Sequence, residues 1–127
     1  MTASNKAKIL VVEDNTVNLE LFMDLIRMGG HECIHSTKGE DVLEIVKREK
    51  PDLLLLDIQL PGIDGMEVGK ILRADEETKN LKVIALTAYA MKGDKEMFLE
   101  KGFDGYIPKP VKMKEFLEAI EGYLGSA

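Results

Sequence analysis

The sequence has no tryptophan, one cysteine and four prolines among its 127 residues. The lone Cys33 has no partner for an internal disulfide and cannot supply a cysteine-rich zinc site, a usage that suits a reducing cytoplasm. No apolar run approaches the ~20 residues that a bilayer span requires. The stretch Met1 to Ala7 carries Lys6 but no apolar segment after it, so it does not read as a secretory signal. Basic residues are the minority, 17 Lys plus Arg against 23 Asp plus Glu, and the net charge of −6 argues against a nucleic-acid binder, whose affinity rests on neutralising phosphates. There is no linker, repeat or low-complexity stretch. The length leads us to expect one domain over residues 1–127, with a core at about 8–124 that buries roughly two-thirds of the chain's surface.

What is present alternates between two textures. Ile9 to Val12, Leu53 to Leu56 and Val83 to Leu86 are short unbroken apolar runs, the pattern of strands buried on both faces of a parallel sheet. Glu32 to Ser36 is more polar and predicts an edge strand, and Gly105-Tyr106-Ile107 predicts a fifth strand that stops at Pro108. Between them apolar residues recur at helical spacing: Leu19, Phe22, Met23 and Ile26 before Gly29-Gly30; Val42, Ile45 and Val46 before Pro51; Met66, Val68, Ile71 and Leu72; and Met113, Phe116, Leu117, Ile120 and Leu124. Lys92 to Lys101 is the weakest helical pattern, with Met97 and Phe98 set among six charges. Strand then helix, five times over, predicts a doubly wound α/β domain.

Open α/β sheets bind ligands beyond the carboxyl ends of their strands. The apolar runs end in Glu13-Asp14, Asp57, Thr87-Ala88 and Pro108-Lys109-Pro110. Three carboxylates, one hydroxyl and one ammonium therefore converge on one rim. At ~4 Å and an effective dielectric near 20, each pair of like charges costs on the order of 4 kcal/mol, so the cluster calls for a cation. An all-oxygen site with few protein ligands suits Mg²⁺. Read alone, Asp14 or Asn15 is equally well a cap for the helix that begins near Thr16. Asp57, at the tip of four leucines, is placed as a carboxylate nucleophile toward a phosphoryl group. Lys109 would add cationic stabilisation, and Thr87 a hydrogen bond.

Glu13-Asp14-Asn15, Asp57-Ile58-Gln59-Leu60-Pro61-Gly62-Ile63-Asp64-Gly65, Thr87-Ala88 and Lys109-Pro110 resemble the motif set of the response-regulator receiver domain, the CheY-like family. The match runs from about Lys8 to Leu124, and Thr87 to Asp94 is most similar to stand-alone DivK-type regulators and hybrid-kinase receivers. The resemblance implies a flavodoxin-like sheet of five parallel strands in the order 2-1-3-4-5. It implies Asp57 as phosphoacceptor, and Mg²⁺ held by Glu13, Asp14, Asp57 and the backbone carbonyl of Gln59. It implies Thr87, the Ala88 backbone and Lys109 on the phosphoryl group, Thr87 and Tyr106 as the switch, and a cis bond before Pro110. It further implies a cytoplasmic protein, monomeric or weakly dimeric, that is no enzyme in the ordinary sense. It would accept phosphate from a histidine kinase or phosphotransfer protein and bind its target through the fourth helix, fifth strand and fifth helix, at Ala90, Met91, Tyr106 and Pro108. Gln59 sits where members of the family vary and tune phosphate lifetime.

Other readings compete. A dehalogenase-type phosphatase also uses a strand-end aspartate, but carries a second Asp two residues on, where this chain has Gln59. An unphosphorylated scaffold would not need the full set of site residues. The same motifs also suit a receiver excised from a hybrid kinase, against which Met1 and the short C-terminal tail weigh slightly. His31, Cys33 and His35 alternate along one short stretch with no fourth ligand, so a zinc site is set aside for an edge strand. Gly69-Lys70 lacks both the spacing and the hydroxyl of a phosphate-binding loop.

Overall fold

The computed structural model describes residues 7–88 and 94–125. In chain order these form β1 (Lys8–Val12), α1 (Thr16–Met28), β2 (Glu32–Ser36), α2 (Val42–Glu49), β3 (Leu53–Asp57), α3 (Gly65–Ala74), β4 (Lys82–Thr87), α4 (Asp94–Glu100), β5 (Gly105–Pro108) and α5 (Met113–Gly125). The strands make one parallel sheet in the order β2-β1-β3-β4-β5. A short 3₁₀ turn at Gly39–Asp41, unannounced by any periodicity, leads into α2. Residues 89–93 of the Thr87 to Asp94 stretch, with Ala90 and Met91 of the expected partner face, lie outside the described residues.

The strand period of two divides the interior into two cores. Ile9, Val11, Leu53 and Leu55 face α1 and α5, where the rings of Phe22 and Phe116 stack at 5.6 Å. Leu10, Val12, Leu54 and Leu56 face the opposite way, toward α2, α3 and α4. All four leucines of β3 are fully buried. At ~1.5–3 kcal/mol for each such side chain, they stabilise the fold by an upper bound of order 10 kcal/mol. That burial explains why the run carries no polar residue until Asp57. Among the described residues no helix is long and apolar enough to cross a membrane.

Polar links gather where the strands begin. At the start of β1, the Lys8 amide donates to Asp52 Oδ2 (2.9 Å) and its ammonium to the Glu49 carbonyl (3.1 Å). His31, just before β2, accepts the Ala7 amide on Nδ1 (3.0 Å). A backbone N–H only donates, so the ring proton of neutral His31 sits on Nε2, facing Glu121 Oε2 of α5 at 2.6 Å. The pairing of His31 with Glu121 and the exposure of His35 give the alternating His31, Cys33 and His35 separate roles. Arg73, in the last turn of α3, reaches the carbonyls of Gly102 (2.7 Å), Lys79 (2.8 Å) and Leu81 (2.6 Å) and Asp104 Oδ2 (2.9 Å). Asp104 in turn takes the Val83 amide at 2.8 Å, which ties β4 to the approach of β5. At the same end the Lys82 ammonium donates to the Tyr123 carbonyl.

Candidate functional site

The carboxyl ends of β1, β3 and β4, with the loop after β5, bring the predicted rim together. Glu13 follows β1 directly, and its amide donates to the Ser36 carbonyl at the end of β2 (3.1 Å). The side chain is only 1% exposed; Oε2 accepts the Asn15 amide at 3.2 Å, and Oε1 faces the Lys109 ammonium at 2.8 Å. That contact is one of charge, since Oε1 has no well-directed hydrogen bond. The choice of helix cap, open in the sequence, falls to Asn15: its Oδ1 accepts the Asn18 amide at 3.0 Å. Asp14 is exposed beside it.

Asp57 closes β3 and is 3% exposed. Its Oδ1 accepts the Gln59 amide at 2.9 Å, and its Oδ2 lies 3.1 Å from the Lys109 ammonium. Thr87 ends β4, is buried, and offers its carbonyl to the Lys109 amide at 2.8 Å. This hydrogen bond holds the lysine backbone at the end of β4, its ammonium lies over the rim, and the Lys109–Pro110 bond is cis. Ala88 is exposed next to it.

One oxygen from each of Glu13, Asp14 and Asp57 lies within 4.8 Å of the others. At that separation and an effective dielectric near 20, each pair repels by about 3.5 kcal/mol. Burial raises the Glu13 pKa above its ordinary value and the Asp57 charge adds to this, while Lys109 opposes both. Burial pulls the Lys109 pKa down, but Glu13 and Asp57 outweigh it and hold the ammonium above its usual range. Three carboxylates against one ammonium leave a deficit of two positive charges. A hard dication fits that deficit and the all-oxygen donor set. The cluster can therefore hold such an ion next to a carboxylate aligned for attack on a phosphoryl group.

Beside the rim runs a groove of about 250 Å³, lined by Asn18, Leu21 and Phe22 of α1 and by Ala88, Lys109, Pro110 and Val111. Leu21 of its lining is 44% exposed, and Val17 of the same helix is 73% exposed. On the other flank, the half-buried ring of Tyr106 packs against Phe98 of α4 at 5.7 Å. Pro108 is exposed next to it. Among the described apolar residues of α4 only Phe98 is buried, while Met97 and Leu99 stay exposed. Two residues that the sequence placed only at the end of the Asp57 motif, without a role, gain one here. Asp64 caps α3 by accepting the Glu67 amide at 2.9 Å, and Gly65 begins that helix against the backbone of Asp57.

The family model of the response regulator receiver domain matches residues 9–121. The polar-differentiation response regulator DivK of Brucella ovis is 46% identical over 119 residues, covering 94% of this chain and 97% of that protein. The receiver domain of sensor histidine kinase PA1611 from Pseudomonas aeruginosa PAO1 superposes with a TM-score of 0.86 at 33% identity, over 95% of this chain and 99% of that one. Its crystal structure has a magnesium ion coordinated in the active site cleft. A CheY-like receiver domain protein from Methanospirillum hungatei JF-1 gives a TM-score of 0.83 at 29% identity, with 94% of each chain covered. With its strand order, its acidic rim and these likenesses together, the chain belongs to the response regulator receiver domain family, the signalling switches of two-component phosphorelays, and not to the aspartate-nucleophile phosphatases.

Proposed function

We propose that Asp57 is the phosphoacceptor of this receiver and that residues 8–124 act as one cytoplasmic receiver domain. One observation carries the assignment of Asp57. It is a carboxylate only 3% exposed at the tip of an apolar strand, yet it is surrounded by the groups that phosphoryl transfer needs. Glu13, Asp14, Asp57 and the Gln59 backbone carbonyl would hold Mg²⁺, whose chemistry there is to neutralise charge on the phosphoryl oxygens. The Gln59 amide fixes the plane of the Asp57 carboxylate through Oδ1. In the transfer step an Asp57 oxygen forms a bond to phosphorus while the P–N bond to the donor imidazole breaks, its electron pair leaving on that nitrogen. Lys109, already between Glu13 and Asp57, shifts its charge toward the phosphoryl group, and Thr87 and the Ala88 backbone hydrogen-bond its oxygens.

The partner that supplies the phosphate is a histidine kinase or a histidine phosphotransfer protein. The groove lined by Leu21, Phe22, Pro110 and Val111 gives it an apolar footing beside Lys109. Thr87 and Tyr106 form the switch, and the output surface spans α4, β5 and α5, including Ala90, Met91 and Pro108. A shift of Thr87 toward the phosphoryl group alters the space beside Tyr106, whose contact with Phe98 ties it to the weakly anchored α4. The receiver works as a monomer or weak homodimer. Phosphotransfer profiling against the kinases of the source cell tests the assignment, with Asp57→Asn and a chelator as controls. Labelling is expected to vanish in both, and labelling of Asp57→Asn at the wild-type rate would overturn it.

A further inference from the structure

Gly65, the first residue of α3, has no side chain, and a Cβ built on it would lie 2.6 Å from the Asp57 carbonyl oxygen and 2.7 Å from Ile58 Cα. Both obstacles are backbone atoms, which cannot swing aside as the end of a flexible side chain can. Carbon contacts settle near ~3.5 Å, so any other residue here would force α3 and the end of β3 apart by about 1 Å. The same glycine donates its amide to the Ile58 carbonyl at 3.0 Å. Ile58 in turn donates to the Leu86 carbonyl of β4 at 3.1 Å. The loop from Ile58 to Asp64 is therefore closed on itself at its base, with Asp57 on one side of the closure and Gly65 on the other. Gln59, whose amide orients the Asp57 carboxylate, lies inside that closed loop.

We infer that Gly65 is a positioning residue for phosphoryl transfer: its missing side chain lets α3 butt against β3, and this contact sets the angle at which Asp57 and the Gln59 carbonyl face the rim. The inference rests on the assignment of Asp57 above and adds to it a residue that touches neither phosphate nor metal. A second glycine one turn along α3 supplies an internal control. A Cβ on Gly69 would lie 2.7 Å from Phe103 Cε1, a clash of similar severity, but against a core ring remote from the rim. Gly65→Ala and Gly69→Ala both place alanine in the same helix and both crowd a neighbour. Only the first crowds the phosphoacceptor.

The test compares wild type, Gly65→Ala, Gly69→Ala and Asp64→Ala. The last removes the cap that holds Gly65 in place and adds no atom, so it loosens the closure without a clash. Three quantities are measured: the Gln59 amide shift by NMR without metal, the Mg²⁺ dissociation constant by calorimetry, and the labelling rate of Asp57. Gly65→Ala is expected to move the Gln59 amide and weaken Mg²⁺ roughly tenfold, the scale seen when groups that orient metal ligands are disturbed. Its labelling is expected to slow on the order of 10²-fold, as for a misplacement of about 1 Å at a reacting group. Asp64→Ala should move all three in the same direction by smaller factors, and Gly69→Ala should stay within about twofold of wild type. Wild-type Mg²⁺ affinity and Gln59 shift in Gly65→Ala would overturn the inference, as would equal losses in the two glycine variants. Failure of wild type itself to bind Mg²⁺ or label at Asp57 would instead overturn the assignment of the site, and the inference with it.

Discussion

Replacing Lys109 by methionine keeps the aliphatic reach of the side chain and removes its charge, so it isolates what the ammonium does. The lysine faces Glu13 Oε1 at 2.8 Å and Asp57 Oδ2 at 3.1 Å. At an effective dielectric near 20 these contacts carry gross attractions of about 6 and 5 kcal/mol, against a carboxylate repulsion of about 3.5 kcal/mol. Without the ammonium the repulsion stands unopposed between two groups that are almost fully buried. The loss is capped because Glu13, whose pKa is already raised, can take up a proton; from 4.5 to pH 7 this costs at most about 3.4 kcal/mol. Breaking a buried pair by removing one partner typically costs ~3–5 kcal/mol, and that is the loss expected for Lys109→Met without metal. At roughly 4 °C per kcal/mol for a chain of this size, the melting temperature should fall by about 12–20 °C. Urea titrations in EDTA and in 10 mM Mg²⁺ check the reasoning. The ion supplies the missing positive charge, so the variant should gain more from Mg²⁺ than wild type does, and its Mg²⁺ affinity should be tighter. A variant that unfolds at the wild-type urea concentration in EDTA, or gains no more from Mg²⁺, would show that the rim charges are not coupled as described.

Three further outcomes follow from the same geometry. The Glu13 pKa is raised above 4.5, so between those values the folded chain binds more proton than the unfolded one; the stability this contributes is complete below pH 4.5 and lost as pH rises through the raised value. In EDTA, urea midpoints of wild type relative to Glu13→Gln should therefore climb on acidification from pH 7.5 toward 4.5, and a flat difference would refute the burial effect. Burial pushes the Cys33 thiol to about 11, so at pH 8 about one thiol in a thousand is ionised, and iodoacetamide labelling should keep rising about tenfold per pH unit past pH 9; a plateau at pH 9 would contradict this. Arg73→Ala should cost about 2–4 kcal/mol through its lost bonds to three carbonyls and Asp104, read as an earlier urea midpoint with Asp57 labelling retained, and an unmoved midpoint would count against it.

The five strands and their order of burial were legible because their signal is local. Leu53 to Leu56 is apolar throughout since both faces of β3 are covered, and Asp57 stands out against that run. The strand order came through resemblance to a family and not from periodicity. The rim was legible for a related reason: a polar residue ending an apolar strand is conspicuous. The cap was not, because Asp14 and Asn15 both cap helices well, and only the 3.0 Å bond from the Asn18 amide separates them. Arg73 and His31 were illegible as structural links. Their partners lie up to 31 and 90 residues away, and an arginine in a last helical turn looks ordinary without them. Gly65 was visible as part of the Asp57 motif but its role was not, for the opposite reason: what matters there is an atom the residue does not have.

The links at the strand starts give the sheet a mechanical character. Ala7 and Lys8, His31, Asp52, Lys82 and Asp104 tie all five strands down at one pole, whereas the other pole carries buried charges that repel. The sheet is thus built like a hand held at the wrist. In the switch proposed above, work done by a new charge at the fingertips would be taken up by the loops and α4, because the hydrogen bonds at the base hold the strands there. An engineer seeking a sturdier version of this chain has the clamped pole to reinforce, and a sensor built on it has the free pole to read.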